Sequence, residues 1–282
     1  MNSELKGKTV KKLSQAGWAA RTLVPAAGVA LALTGATAAQ AAPAKPAAPA
    51  QRAADPVPAF DFKDCPTLPT KYARLGSTCF EVVVTSGQFK LGKFDQQLTS
   101  PVRMTFANAL DPETDTYTAI FGKMHSEKMV VRPGIFGDPI LTAVYAKPEY
   151  AGVFDQPTGL GFPIKLGLQI RLTNPFLGGA CLIGNSTNPI VLNLTTGTTA
   201  PPAPTPPITG KTPTIIQRDP FVIRSATHVD NTFAVPGAKG CALNVGLVNH
   251  IVNGQAGVPA AAGQSQMVFN EYIGQMPYTR LP

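Results

Sequence analysis

Pro163-Ile-Lys-Leu-Gly-Leu-Gln-Ile-Arg-Leu-Thr173 alternates without a break. Ile164, Leu166, Leu168, Ile170 and Leu172 take every second position, and Lys165, Gly167, Gln169 and Arg171 fill the places between. Successive side chains of a strand point to opposite faces, so the run has one apolar face and one wet face. A helix would spread the same five apolar residues around its circumference. The stretch therefore reads as a strand of an antiparallel sheet with one face on a core.

Similar runs lie on both sides of it. Cys79–Thr85 is β-branched, and Ser86-Gly87 reads as a hairpin turn into Gln88–Phe94. Val102–Ala107, Tyr117–Phe121, Glu127–Val131 and Ile140–Ala146 follow before the central run. Ile190–Thr195, Thr214–Gln217, Phe221–Thr227 and Met267–Ile273 come after it. Pro101, Pro139, Pro163, Pro189, Pro213 and Pro220 stand just before apolar runs, where a strand tolerates a residue without an N–H. In Ala242–Asn253 the apolar residues recur at spacings of three and four, which predicts one short helix stopped by Gly254 and Gly257. Thr199–Thr214 holds six prolines and reads as a polyproline loop. The expected fold is all-β, a two-sheet antiparallel β-sandwich with one short helix; a β-barrel is the alternative.

The ends of the chain set the organisation. Lys6, Lys8, Lys11, Lys12 and Arg21 precede the apolar run Leu23–Leu33, and Ala39-Gln40-Ala41 offers a small-residue cleavage site. This is the pattern of a secretory signal peptide over residues 1–41. The apolar run is short for a membrane span, which needs about 20 residues. Residues 42–60 are rich in Ala and Pro and read as a disordered tether. Residues 61–282 are then a single β domain. Removing residues 1–41 takes five of the 24 basic residues and one of the 16 acids, leaving 19 against 15, or +4 in place of +8. So modest a balance gives no support for nucleic-acid binding. The only tryptophan, Trp18, leaves with the signal.

Cys65, Cys79, Cys181 and Cys241 are an even set in an exported chain and predict two disulfides. Three pairings are possible. Cys65–Cys79 and Cys181–Cys241 are favoured, because the first pair is close in sequence and the second brackets one segment. Chain entropy gives about 3 and about 4 kcal/mol for the two loops. Wide spacing and the lack of a C-x-x-C motif disfavour zinc.

Four stretches carry a resemblance. They are Val82-Val83-Val84-Thr85-Ser86-Gly87-Gln88-Phe89-Lys90-Leu91-Gly92, Pro133-Gly134-Ile135-Phe136-Gly137-Asp138-Pro139, Leu192-Asn193-Leu194-Thr195-Thr196-Gly197, and His228-Val229-Asp230-Asn231 with Gly240-Cys241. In these the chain, from Asp61 onward, resembles a group of uncharacterised exported proteins of high-GC Gram-positive bacteria. The resemblance implies compartment and origin, and transfers no catalytic residue.

Chemistry-bearing candidates are few. Tyr145, Tyr150, Phe154 and Phe162 sit among Pro148, Gly152, Pro157 and Gly159, and aromatics in such a loop suggest ligand recognition. His228 and Asp230 lie on one side of a strand, a spacing that suits a divalent metal or an oriented imidazole. Asp111, Glu113 and Asp115 alternate, but Thr116 stands where a calcium loop needs glycine. No phosphate loop, dinucleotide fingerprint, haem motif or metalloprotease helix occurs, so no cofactor is expected. The function expected is a secreted, non-catalytic β domain that binds a cell-envelope component, a protein or an apolar ligand. An extracellular hydrolase and a structural surface protein are the alternatives. Partners are expected at the cell wall or surface, with no nucleic acid and no membrane span once the signal is removed.

Overall fold

A computed structural model describes residues 56–131, 143–157 and 162–281. The expected signal peptide, most of the tether and the first part of the strand expected at 140–146 lie outside these residues. The described chain belongs to one compact unit, Ala53–Pro282.

Its strands are β1 (Ala73–Leu91), β2 (Phe94–Gln97), β3 (Val102–Asp111), β4 (Thr116–His125), β5 (Met129–Val131), β6 (Val144–Asp155), β7 (Ile164–Thr173), β8 (Leu182–Ile183), β9 (Ile190–Leu194), β10 (Lys211–Gln217), β11 (Val222–Asp230), β12 (Ala238–Lys239) and β13 (Gln266–Pro277). One helix, α1 (Gly246–Ala256), separates β12 from β13. Sheet 1 runs β10-β11-β13-β1-β3-β4, with β2 on β1. Sheet 2 runs β12-β8-β7-β6-β5, with β9 on β7. All pairings are antiparallel, and the sheets stay open, so the fold is a sandwich and not a barrel. Among the described residues no helix is long and apolar enough to cross a membrane.

The alternating stretch is β7. Its five apolar residues are 1–2% exposed, and β6, β8 and β9 all pair with it. They face Val82, Val84, Met104, Phe106 and Phe269 from sheet 1 in one core. Each such side chain contributes about 1.5–3 kcal/mol by leaving water. On the opposite face of β7, Arg171 and Gln169 reach Glu149 on β6.

Three local expectations are corrected. Ser86-Gly87 is not a hairpin turn. It is a bulge inside the long β1, where the register steps from Val84↔Glu271 to Ser86↔Asn270. A side chain at Gly87 would strike the Val268 carbonyl, so β1 stays in contact with β13 through the bulge. The turn comes at Gly92, which has φ +55. The Gly- and Pro-rich segment around Tyr150 is not a loop. It is strand β6, with an irregular register between Tyr150 and Phe154. The helix starts later than predicted, because Ala242, Leu243 and Asn244 have φ of +47, +60 and +66 and cannot be right-handed helix. Gly257, at φ +65, ends it, while Gly254 lies inside.

A second, smaller core covers the outer face of sheet 1. Phe60 and Phe62 pack on Phe221, with the Cys65–Cys79 bridge and Tyr278 alongside. Phe60, within the stretch expected to be tether, is thus part of the folded domain. Gly274 makes room for this packing: a Cβ there would lie 2.7 Å from the Phe60 ring. The other bridge joins Cys181 to Cys241, so the pairs are those favoured by spacing.

Candidate functional site

The segment from Ala59 to Cys65 forms a strap across the outer face of β1, β3 and β4. Alternation explains what it meets. Phe80, Val82, Met104 and Phe106 point into the main core, so Glu81, Arg103 and Thr105 point outward beneath the strap. On the next strand His125 stands directly opposite Arg103.

Glu81 holds the strap by its backbone. Its Oε2 accepts the N–H groups of Asp61 at 3.0 Å and Phe62 at 2.9 Å, and its Oε1 accepts from Arg103 Nη1 at 2.8 Å. The same Nη1 donates to the Ala59 carbonyl at 3.0 Å. Thr105 Oγ1 donates to the Asp64 carbonyl at 2.6 Å and accepts from the Lys123 N–H at 3.1 Å. The Asp64 carboxylate takes Lys123 Nζ on Oδ1 at 2.9 Å and His125 Nε2 on Oδ2 at 2.8 Å. The hydrogen bond from Lys123, aided by that from His125, outweighs desolvation and holds the Asp64 carboxyl below its ordinary value.

These groups line a cleft of about 280 Å³, to which Phe60 and Lys63 also contribute. Its acids and bases are arranged unequally. The carboxylates of Glu81 and Asp64 are 4% and 13% exposed, whereas Lys63, Lys123 and His125 are 72%, 67% and 59% exposed; the exposed acid of the cleft, Asp61 at 57%, is paired with Lys63. The buried carboxylates are occupied by the donors just named. Arg103 uses only Nη1 among the described residues, and each lysine has three donors of which one ion pair occupies one. A molecule entering the cleft meets spare N–H donors on cationic side chains. That chemistry suits a carboxylate or a phosphate.

The residues singled out in the sequence lie elsewhere. Tyr150 stacks on Phe121 at 3.8 Å between ring centroids, and Phe154 sits 5.0 Å from Phe106. Phe162 packs against Phe80 at 5.7 Å. These three rings bridge the two sheets. Tyr145, near the start of β6 opposite Thr173, is partly exposed and away from them, so the four form no common surface.

His228 and Asp230 point inward, and neither has any solvent exposure. His228 Nε2 donates to the Phe162 carbonyl at 2.7 Å, and Nδ1 is hydrogen-bonded to Glu271 Oε1 at 2.7 Å. Burial alone would lower the imidazole pKa. The Glu271 charge, its hydrogen bond and the Phe162 carbonyl together outweigh burial and raise it. Asp230 accepts the Asn193 N–H at 2.6 Å on Oδ2, and the Thr232 N–H and hydroxyl at 2.7 Å on Oδ1. Burial pushes its pKa up against those donors. The sequence couples His228 with Asp230; the fold couples His228 with Glu271 and gives Asp230 a separate set of donors. Both ring nitrogens of His228 are engaged, and no group of three or more His, Cys, Asp and Glu residues suited to a metal occurs among the described residues. Asp111, Glu113 and Asp115 lie in or beside the exposed β3–β4 turn, where Asp111 Oδ1 accepts the Glu113 N–H.

No protein-family profile matches this chain, and no curated protein or solved structure matches it either.

The strap cleft escaped the sequence because its residues come from four separate stretches. The one available signal was the odd-numbered polar set on the wet face of β3, Arg103 and Thr105, which alternates with Val102, Met104 and Phe106.

Proposed function

We propose that the protein is an exported, non-catalytic binding domain that holds an anionic component of the cell envelope in the strap cleft. The observation that carries this reading is the layered charge: two buried, occupied carboxylates, Glu81 and Asp64, beneath exposed, partly free Lys63 and Lys123, with the exposed Asp61 paired to Lys63. The buried layer fixes the donors in place, which limits the ordering cost of binding. Two disulfides support this reading, because they suit a stable extracellular scaffold. An apolar ligand on the aromatic residues is less well supported, because Tyr150, Phe154 and Phe162 are engaged between the sheets.

The test is calorimetric titration of the mature domain with polyphosphate and with polygalacturonate. Binding should weaken steeply with added salt. Lys63→Ala with Lys123→Ala should weaken it by about tenfold or more, and Lys63→Ala alone should weaken it with the unfolding temperature unchanged. Absence of binding to both polymers, or binding indifferent to both substitutions, would remove the proposal.

A hydrolase is the second reading, now at a different histidine. His125 is held by Asp64 through Nε2 and lines the cleft beside Arg103, the arrangement of an oriented base next to a cation. It requires ester or phosphoester turnover that disappears in His125→Asn.

A further inference from the structure

We propose that the turns around the Cys181–Cys241 bridge form a self-association face, on which a second copy of this chain docks about a two-fold axis. The face consists of two turns joined to each other. Cys181 is bonded to Cys241, and the Ala242 N–H donates to the Leu177 carbonyl at 2.7 Å. Phe176 on the first turn, Leu243 and Val245 on the second, and Leu247 at the start of α1 are large apolar side chains left in solvent, Leu243 at 99% exposure.

Leu243 is held out by a built turn. Ala242, Leu243 and Asn244 are three consecutive left-handed residues, a conformation that L-residues with a Cβ disfavour. Asn244 Oδ1 accepts from the Gly240 N–H at 3.2 Å and from Asn249 Nδ2 at 2.8 Å, and Asn249 Oδ1 accepts the Cys241 N–H at 3.0 Å. The fold spends hydrogen bonds and backbone strain to present an apolar side chain to water, and such outliers concentrate at functional surfaces.

Charge decides the occupant. From Leu172 to Gly210 and from Gly240 to Asn270 the chain contains no Asp, Glu, Lys or Arg. The charged residues that flank these stretches in sequence include Lys239 and Arg171, the latter tied to Glu149 and to the Gly179 carbonyl. A two-fold contact sets a patch against itself, so any net charge in it repels its own copy. This patch has none, although the mature chain as a whole is cationic. A charged polymer or an anionic lipid headgroup finds no complementary group here. A second apolar, uncharged patch framed by a polar rim does.

Sedimentation velocity of the mature domain over about two decades of concentration tests this. The expected result is a monomer at the low end that becomes a dimer at the high end. Leu243→Gly suits the left-handed backbone while removing the contact, so it should keep the unfolding temperature at or above that of the parent. It should also weaken association by about tenfold or more, as should Phe176→Ser. A chain that stays monomeric throughout overturns the proposal. So does a dimer indifferent to both substitutions, or co-sedimentation with phosphatidylcholine vesicles in place of self-association.

Discussion

Each disulfide of this domain anchors a surface, and the two surfaces are opposites. Cys65–Cys79 ties down the strap, whose Asp61, Lys63 and Asp64 lie with Glu81, Arg103, Lys123 and His125 around one cleft. Cys181–Cys241 ties together two turns that carry no formal charge and are held by asparagine side chains and backbone hydrogen bonds. In the first region charged groups fix the chain and spare donors face solvent. In the second, neutral groups fix the chain and apolar side chains face solvent. A single scaffold thus separates an electrostatic surface from a hydrophobic one, and the difference suits each to a partner of different chemistry.

The bridges themselves give the largest contrast. Replacing Cys181 and Cys241 together by alanine should cost about 4 kcal/mol, and replacing Cys65 and Cys79 about 3 kcal/mol, as read from urea unfolding of the β domain. Loss of the first pair should also remove self-association, and loss of the second should loosen the strap and weaken anion binding. The reverse assignment would break the comparison.

Glu81→Ala comes next. It frees two backbone N–H groups and Arg103 at once, at a cost of about 2–3 kcal/mol. Hydrogen exchange at Asp61 and Phe62 should rise sharply, while exchange around Cys241 should not change.

A smaller effect separates the strap from the interior by pH. Asp64 has its pKa lowered from 3.8 in the folded state, so its support is complete above that value and lost as pH falls through the depressed one. His228 has its pKa raised from 6.5, so the contribution of the His228–Glu271 pair is complete below 6.5 and lost as pH rises through the folded value. The urea midpoint should therefore decline at both ends of the range. Asp64→Asn should flatten the acid limb, and His228→Gln the alkaline one. The smallest effect is Lys63→Ala, which should leave the unfolding temperature unaltered because its ion pair with Asp61 is in solvent.

The fold was largely legible because its decisive information is local. Ile164 to Leu172 alternate, and alternation directly specifies which residues are buried. Where local signals failed, a non-local contact had overruled them. Ser86-Gly87 carries turn chemistry, yet pairing with β13 carries β1 through it as a bulge. Leu243 fits a helical spacing, yet the bridge at Cys241 and the bond from Ala242 to Leu177 accompany a left-handed turn there. Tyr150 and Phe154 sit among Pro and Gly, yet Phe121 and Phe106 on the other sheet take them up. The site was the least legible part. Asp64 meets Lys123 and His125 across about 60 residues, and Glu81 meets Arg103 across 22. The registers of β1, β3 and β4, with the strap laid across them, bring them together. His228 and Asp230, by contrast, were correctly placed on one face of one strand, but that face is the interior.

One measurement tests the separation of the two surfaces most directly: hydrogen-exchange mass spectrometry of the β domain, dilute and concentrated, with and without polyphosphate. Polyphosphate should protect residues 59–65, 103–105 and 123–125 at either protein concentration. Concentration should protect residues 176–179 and 241–247 with or without the polymer. Protection of both regions by the same variable, or of neither, would contradict the account.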